Sequence, residues 1–210
     1  MIIANEQDAR TYVAGKGDAA AMTRLERLDS ELRKENELQN LVAKNSLESF
    51  WQRHIADSAQ LLEHAGEVRG NWLDLGSGAG FPGLVIAALS PQVSVILVES
   101  RKRRIEWLER MCDVMELSNC RVEGARLEVV EDFAADVISA RAFAPLDRLL
   151  RLSARFSTSR TRWVLPKGRS AAQEVAALPK IGRKMFHVEQ SLTDAEAGIV
   201  VGKGKWRIEA

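Results

Sequence analysis

The residues with the most chemical content lie between Asn71 and Glu99. Asn71 to Gly83 reads NWLDLGSGAGFPG. Trp72, Leu73 and Leu75 are apolar, and the chain then turns abruptly to glycine. Gly76, Gly78 and Gly80 remove three Cβ atoms, so a ligand can press against bare backbone there. Asp74 sets a carboxylate at the tip of the apolar run, and Glu99 closes the next apolar run, VSVILV. Glu99 follows the glycine turn by about 20 residues, the interval at which an acid accepts ribose hydroxyls in nucleotide-cofactor folds. A short buried strand, a glycine loop and then a helix form a cradle for such a cofactor. Pro82 suits the first position of that helix, where a missing N–H costs nothing.

Two nucleotides compete for the cradle. Gly78 to Gly83 matches the dinucleotide spacing G-x-G-x-x-G. The register disagrees: the strand ends at Leu75, the turn glycine is Gly76, and the third glycine position falls on Phe81. An acid at Asp74 would also oppose a pyrophosphate, whereas S-adenosylmethionine has no phosphate and carries an ammonium and a sulfonium. The sequence therefore favours S-adenosylmethionine, with Asp74, Gly76, Gly78, Phe81 and Glu99 around it. Asp74 has a purely structural alternative, as a carboxylate bonded to loop N–H groups. Leu127 and Glu128 follow a third strand at Asn119 to Glu123, where adenine is expected; Glu128 either accepts from the adenine amine or opens a helix.

The acceptor side begins at Arg141 and Phe143, which follow a fourth strand at Asp136 to Ala140. An arginine there can bond a guanine O6 or a phosphate. Phe143 can stack on a base, worth about 1–3 kcal/mol, or fill core. Arg148, Arg151 and Arg155 share a helix face, and Lys167 and Arg169 flank Gly168 after a fifth strand, Arg162 to Leu165. Both groups suit a phosphate backbone or a solvated surface. Phe50 to Ser58, FWQRHIADS, pairs Arg53 with Asp57 and His54 with Ser58 one helical turn apart. That face is held against either the main domain or a substrate.

The surrounding elements must position these groups. Residues 1 to about 65 read as helices: Asp18 caps one in which Met22, Leu25, Leu28 and Leu32 recur at helical spacing. Ser46 reads as the cap of a short helix, and Ser100 as the cap of one whose buried stripe is Ile105, Leu108, Cys112 and Met115. Met185 to Val188 and Ile199 to Trp206 read as the last two strands. Alternating strands and helices predict an α/β fold of 210 residues, with a helical extension over 1–65 and one compact domain over 66–210. Apolar residues are 46% of the chain, enough for a core without disulfides or metal, and no metal site is expected. The net charge of +1 means that any nucleic-acid footprint is local. Cys112 and Cys120 lack ligand spacing and read as buried thiols in a reducing cytosol. No signal peptide and no membrane span are expected, and no face reads as a dimer patch, so a cytoplasmic monomer is expected.

The segments NLV…RHIADS, LDLGSGAGFPG, LVES, EGARLE, ISARAFAPL and LPKG, in order from about Gln39 to Gly168, together resemble the ribosomal small subunit methyltransferase G family, also called glucose-inhibited division protein B. The resemblance implies a Rossmann-like class I S-adenosylmethionine-dependent methyltransferase fold with a seven-stranded, mostly parallel sheet and helices on both faces. It implies methyl transfer to N7 of guanine 527 in 16S rRNA of the small ribosomal subunit. It implies cofactor contacts at Gly76, Phe81, Leu127, Glu128 and Arg141. The chain departs from the family's pattern at Glu99, often an aspartate, and at Ala79, often a proline. On these expectations Arg141 and Phe143 serve the reaction, and His54, Arg148, Arg151, Lys167 and Arg169 serve RNA. A methyltransferase for a small molecule or protein, or a non-catalytic nucleotide-binding module on the ribosome, are the competing readings.

Overall fold

The computed structural model describes residues 2–207. Its elements run α1 (Glu6–Ala14), α2 (Ala19–Asn36), a π-helical turn (Trp51–Ala56), α3 (Asp57–Ala59), α4 (Leu61–Ala65), β1 (Asn71–Leu75), α5 (Gly83–Leu89) and β2 (Ser94–Val98). They continue with α6 (Lys102–Val114), β3 (Cys120–Glu123), β4 (Ala135–Ala140), α7 (Leu146–Ser153), β5 (Ser157–Gly168), α8 (Ala171–Ala176), α9 (Lys180–Met185), β6 (Phe186–Gln190) and β7 (Gly198–Lys203).

One seven-stranded sheet has the order β3-β2-β1-β4-β5-β7-β6. Pairings from β3 through β5 are parallel, and β7 is antiparallel to both of its neighbours. The chain leaves β1 toward β2 and β3 and returns to β1's other side with β4. That reversal opens a crevice at the C-terminal ends of β1 and β4, where ligands bind in open α/β sheets.

The two-residue strand period decides what faces the crevice. Trp72, Val95, Leu97, Val137 and Val164 point to one face and pack under α1, α2 and α5. Leu73, Leu75, Ile96, Val98, Ile138 and Leu165 point to the other and pack under α7, with Trp163, Phe186 and Trp206. Both faces are dry, so the central strands read as near-continuous apolar runs. Each fully buried Leu or Ile contributes about 1.5–3 kcal/mol. Asp74 shares the parity of Trp72 and therefore turns under α5, into the first core.

The extension has no core of its own. Leu25, Leu28 and Leu32 of α2 are fully buried in the cluster that also holds Trp72 and Val95. Asn5 and Asp18 cap α1 and α2 by accepting from Asp8 N and Ala21 N. The Glu6 carboxylate accepts from the N–H groups of Trp51 (3.0 Å) and Gln52 (2.8 Å). Ile3 N donates to Leu192 O at 2.7 Å, which ties the start of the described chain to the β6–β7 connection.

Four local expectations differ from the structure. Pro82 sits one residue before α5, at its N-cap. Ser100 does not cap α6; Arg101 holds the N-cap position, with no side-chain cap bond. The buried face of α6 is Trp107, Leu108, Met111 and the following Met115, while Ile105 and Cys112 are half-buried. Trp107 decides that rotation, because its indole N–H reaches Ala79 O at 3.0 Å. Ser46 lies inside a 3₁₀ turn, Lys44–Leu47, rather than before it. No helix among the described residues is long and apolar enough to cross a membrane.

Candidate active site

Two clefts meet above the crevice. The first, about 480 Å³, is lined by Gly76, Val98, Glu99, Ser100, Arg101, Arg104, Ala125 to Glu128, Ala142 to Ala144, Arg148 and Leu152. The second, about 980 Å³, is lined by Val42, Ser46, Arg53, His54, Asp57, Arg141 and Lys167, among others, and shares Ala142, Phe143 and Ala144 with the first. Both volumes are in the range of small-molecule sites. Phe143 is therefore the partition between them.

Gly76 makes the partition possible. Its φ is +64°, and a Cβ there would stand 2.5 Å from Phe143 Cδ2. Only a residue without a side chain lets the ring lie against the turn. The loop is bent again at Ala142, a non-glycine residue with φ +53°, in the left-handed region that such residues enter at a cost. Local sequence gives no sign of that bend.

Glu99 stands at the end of β2, buried, with its carboxylate held by three backbone N–H groups. Oε1 accepts from Ser100 (2.7 Å) and Arg101 (2.9 Å), and Oε2 accepts from Gly78 (3.1 Å). A carboxylate oxygen offers two acceptor directions. Oε1 is filled and Oε2 keeps one, so in this conformation Glu99 can take one ribose hydroxyl rather than the expected two. Gly78 is thus committed to Glu99 and does not line the cleft.

Two other expected cofactor residues stand away from the first cleft. Asp74 is fully buried beneath the loop; it accepts from Ser139 Oγ at 2.8 Å and Gly83 N at 3.3 Å. Ser139 in turn accepts from the Trp72 indole N–H at 2.8 Å. Burial pushes the Asp74 pKa up to about 6, against the opposing pull of these hydrogen bonds and of Arg141. The structural alternative for Asp74 describes its position, and the electrostatic argument against a pyrophosphate loses its nearest charge. Phe81 is 2% exposed and stacks on His54, with ring centroids 4.9 Å apart, under the second cleft's wall rather than in the first cleft. Leu127 and Glu128 do line the first cleft, on a 3₁₀ turn Leu127–Val129. The carbonyl of Leu127 is occupied by Val130 N and the Arg155 guanidinium.

The second cleft is organised by Arg141. Its guanidinium lies over the Phe81 ring, 4.9 Å from the centroid. It donates to Arg53 O (3.3 Å) and meets Asp57 Oδ2 at 3.5 Å. Its Nη2 is 3.2 Å from His54 Nδ1. An arginine can only donate, so Nδ1 is the unprotonated nitrogen and Nε2 carries the hydrogen. Nε2–H donates to Ser46 Oγ at 2.8 Å, and Ser46 Oγ donates to Ala43 O at 2.6 Å. Every member of this relay has its partner. Burial first, then the positive charges of Arg141 and Arg53, draw the His54 pKa down to about 3. Burial lowers the Arg141 pKa, while Asp57 and Asp74 push back. Asp57 also accepts from Thr193 Oγ1 and Gln60 Nε2, both at 2.9 Å. The extension thus fixes the arginine, and His54 is a buried neutral support rather than an exposed cation for RNA.

The remaining expected RNA contacts divide. Lys167 is nearly buried, with its side chain 9% exposed; it donates to Ala144 O at 2.5 Å and pairs with Glu174 at 3.1 Å. Glu174 accepts from Leu146 N (2.6 Å) and Ser170 Oγ (2.6 Å). Lys167 therefore braces the loop that carries Phe143. Arg151 pairs with Asp147 at 2.7 Å, and Arg169 with Glu196; both are exposed. Arg148 lines the first cleft instead of a separate basic face.

Comparison with known proteins follows the same outline. The family model GidB, rRNA small subunit methyltransferase G, matches residues 21–198, a span that includes the first cleft and, but for Ile199, the second. The chain belongs to this family. Ribosomal RNA small subunit methyltransferase G of Erythrobacter litoralis is 61% identical over 204 residues, covering 97% of this chain and 99% of the relative. The protein of that name from Novosphingobium aromaticivorans is 57% identical over 188 residues, covering 89% and 82%. Among solved structures, an MtNAS variant in complex with S-adenosylmethionine has a TM-score of 0.55 at 15% identity, covering 95% of this chain and 84% of that one. At that identity the likeness shows the fold alone: an α/β sheet with helices on both faces.

Several site residues of this family member escaped sequence reasoning. Arg126 lines the first cleft although nothing in its spacing sets it apart. Ser46 and Glu174 matter through His54 and Lys167, partners eight and seven residues away on a different element. A usable signal existed for Asp74: its parity with Trp72 places it on the α5 side.

Proposed function

We propose that the protein transfers a methyl group from S-adenosylmethionine to N7 of guanine 527 in 16S rRNA of the small ribosomal subunit. The observation that carries this reading is the family match across residues 21–198, which contains a donor cleft and, but for Ile199, an acceptor cleft meeting it at Phe143. The cytoplasm is the proposed location and a monomer the proposed state. Residues 1–65 are assigned as the extension and 66–210 as the methyltransferase domain.

The first cleft suits the donor. A glycine turn without Cβ, a carboxylate with a free acceptor direction and a second acid at Glu128 match a methionine chain with its sulfonium, a ribose hydroxyl and an adenine amine. Gly76, Glu99, Leu127 and Glu128 are assigned to hold it; Asp74, Gly78 and Phe81 support the loop from behind. When bound, S-adenosylmethionine supplies a methyl group made electrophilic by its sulfonium.

The acceptor brings its own nucleophile. Guanine N7 carries a free lone pair, so no general base is required and His54, neutral and fully bonded, has no proton to take. Phe143 stacks on the guanine and fixes its plane, which aligns N7 and tolerates charge appearing on the ring. Arg141, already anchored on three sides, offers remaining N–H groups to O6; its proton is too tightly held for acid catalysis. Lys167 and Glu174 keep the Phe143 loop in place.

The test is nucleotide mapping. Small-subunit rRNA from cells lacking this chain should be unmethylated at the one guanine and restored by the wild-type protein. An rRNA methylation pattern identical with and without the chain refutes the proposal and favours a small-molecule or protein acceptor.

A further inference from the structure

The first cleft carries more positive charge than a methyl donor can use. Arg101, Arg104, Arg126 and Arg148 line it, against two acids, Glu99 and Glu128. Among the described residues none of these four guanidiniums has a side-chain hydrogen bond or an ion pair, and Glu99 is already occupied by backbone N–H groups. Cations on the expected RNA face are, by contrast, neutralised: Arg151 by Asp147, Lys167 by Glu174 and Arg169 by Glu196.

S-adenosylmethionine has one carboxylate and two positive groups, so it is itself a net cation and can engage one of the four. Arg104 is placed for that. It is half-buried, and its Nη1 is 3.4 Å from where a Cβ would stand on Gly78, against the inner wall of the glycine loop. Arg101, Arg126 and Arg148 are exposed. Three exposed planar forks without partners, around a cleft about to receive another cation, call for an anion from outside.

We propose that Arg101, Arg126 and Arg148 bind phosphates of the substrate rRNA, so that the strand lies across the mouth of the donor cleft and covers the bound donor. This rests on the proposed rRNA reaction and adds a location for the backbone, on the donor side of Phe143. It also predicts how the partners sense each other. In the transfer the S–CH₃ bond breaks, an N7–CH₃ bond forms, sulfur keeps the bonding electron pair, and the positive charge passes from donor to base. The donor cleft thereby loses one charge beneath the RNA. RNA then binds the protein loaded with a cationic donor more tightly than the protein loaded with neutral S-adenosylhomocysteine, and by reciprocity it favours the cationic ligand by the same factor.

Binding of small ribosomal subunits, purified from cells lacking this chain, tests the proposal without turnover. Sinefungin carries an amine in place of the sulfonium and is the cationic ligand; S-adenosylhomocysteine is the neutral one. At low salt, subunits should bind the sinefungin complex about 3- to 10-fold more tightly, with the ratio shrinking as salt screens the charge. Arg126→Gln and Arg148→Gln should each reduce the slope of log K against log salt by about 1. Calorimetry without RNA should show their donor affinity within about 3-fold of wild type, while Arg104→Gln weakens the donor and keeps the RNA slope. Circular dichroism confirms folding of each variant. Wild-type slopes in both Arg126→Gln and Arg148→Gln, lost donor affinity in them without RNA, or equal subunit affinity with the two ligands would each overturn the proposal. A wild-type protein that binds the donor but no subunits would instead remove the rRNA reading itself.

Discussion

Acidification should move stability in opposite directions through two buried groups, and His54→Gln separates them. His54 has a folded pKa of about 3 against an ordinary 6.5. Above 6.5 its contribution is complete; as pH falls from there toward 3 the unfolded chain takes up a proton that the folded chain refuses, and stability is lost. Asp74 has a folded pKa of about 6 against an ordinary 3.8. Its folded state takes up the proton first, so stability is complete below 3.8 and is lost as pH rises through 6. Between roughly pH 7.5 and 4.5, proton linkage makes His54 cost on the order of 3 kcal/mol on acidification while Asp74 returns on the order of 2 kcal/mol. In the wild-type protein the two therefore largely offset each other. His54→Gln removes the first effect, so its change on acidification should be more favourable than wild type's by a few kcal/mol. Asp74→Asn removes the second and should be less favourable than wild type's by a similar order of magnitude. Carboxylates such as Glu35 and Glu63, held low by Arg110 and by Lys16 with Tyr12 despite opposing burial, destabilise all three proteins alike in acid and cancel in the comparison. Urea unfolding at the two pH values, extrapolated linearly to water, supplies the numbers. If His54→Gln loses as much stability on acidification as wild type does, the buried neutral tautomer deduced from the Arg141 contact is wrong.

Other consequences concern the clefts. Phe143→Ala should lower single-turnover methylation by roughly 5- to 150-fold, the equivalent of about 1–3 kcal/mol of lost stacking; full activity with normal rRNA affinity would end its assignment. Gly76→Ala should cost about 1–2 kcal/mol for the left-handed backbone alone and displace the Phe143 ring, seen as a lower midpoint in thermal unfolding together with weaker donor binding by calorimetry. Glu99→Gln should weaken the donor by roughly 10- to 150-fold, since a charge-assisted acceptor worth about 1.5–3 kcal/mol is lost; unchanged donor affinity would place the ribose elsewhere. Lys167→Met, which leaves Glu174 without its cation, should reduce kcat/KM for rRNA by loosening the Phe143 loop while donor affinity stays near wild type.

The sheet was largely legible in the chain because its central strands are buried on both sides, and such runs need no tertiary context to be recognised. VSVILV ending in an acid, at a marked interval from a glycine turn, pointed to residues that line the first cleft. Longer-range chemistry was not legible. Lys167 beside Gly168 looks like a phosphate contact until Glu174 and Ala144 O are seen to claim it. Arg148 looks like one member of a basic helix face until α7 is docked against the strand ends. The axial position of α6 depended on a single indole N–H finding Ala79 O, a bond that apolar periodicity does not encode. Asp74 was misplaced for a different reason: the alternation that buries it was present, but a carboxylate at a strand tip was read by its charge before its side of the sheet.

The relay from Ala43 through Ser46 and His54 to Arg141 has a consequence for biosynthesis. His54 leaves the ribosome 87 positions before the arginine it must hold, an interval of roughly 4–17 s at ordinary elongation rates. During that delay the imidazole exchanges its proton with water at its ordinary pKa, and Asp57 waits for its cation. The walls of the first cleft end at Leu152, whereas those of the second run on to Ile199, so a nascent chain can own the donor half before it owns any means of choosing a base.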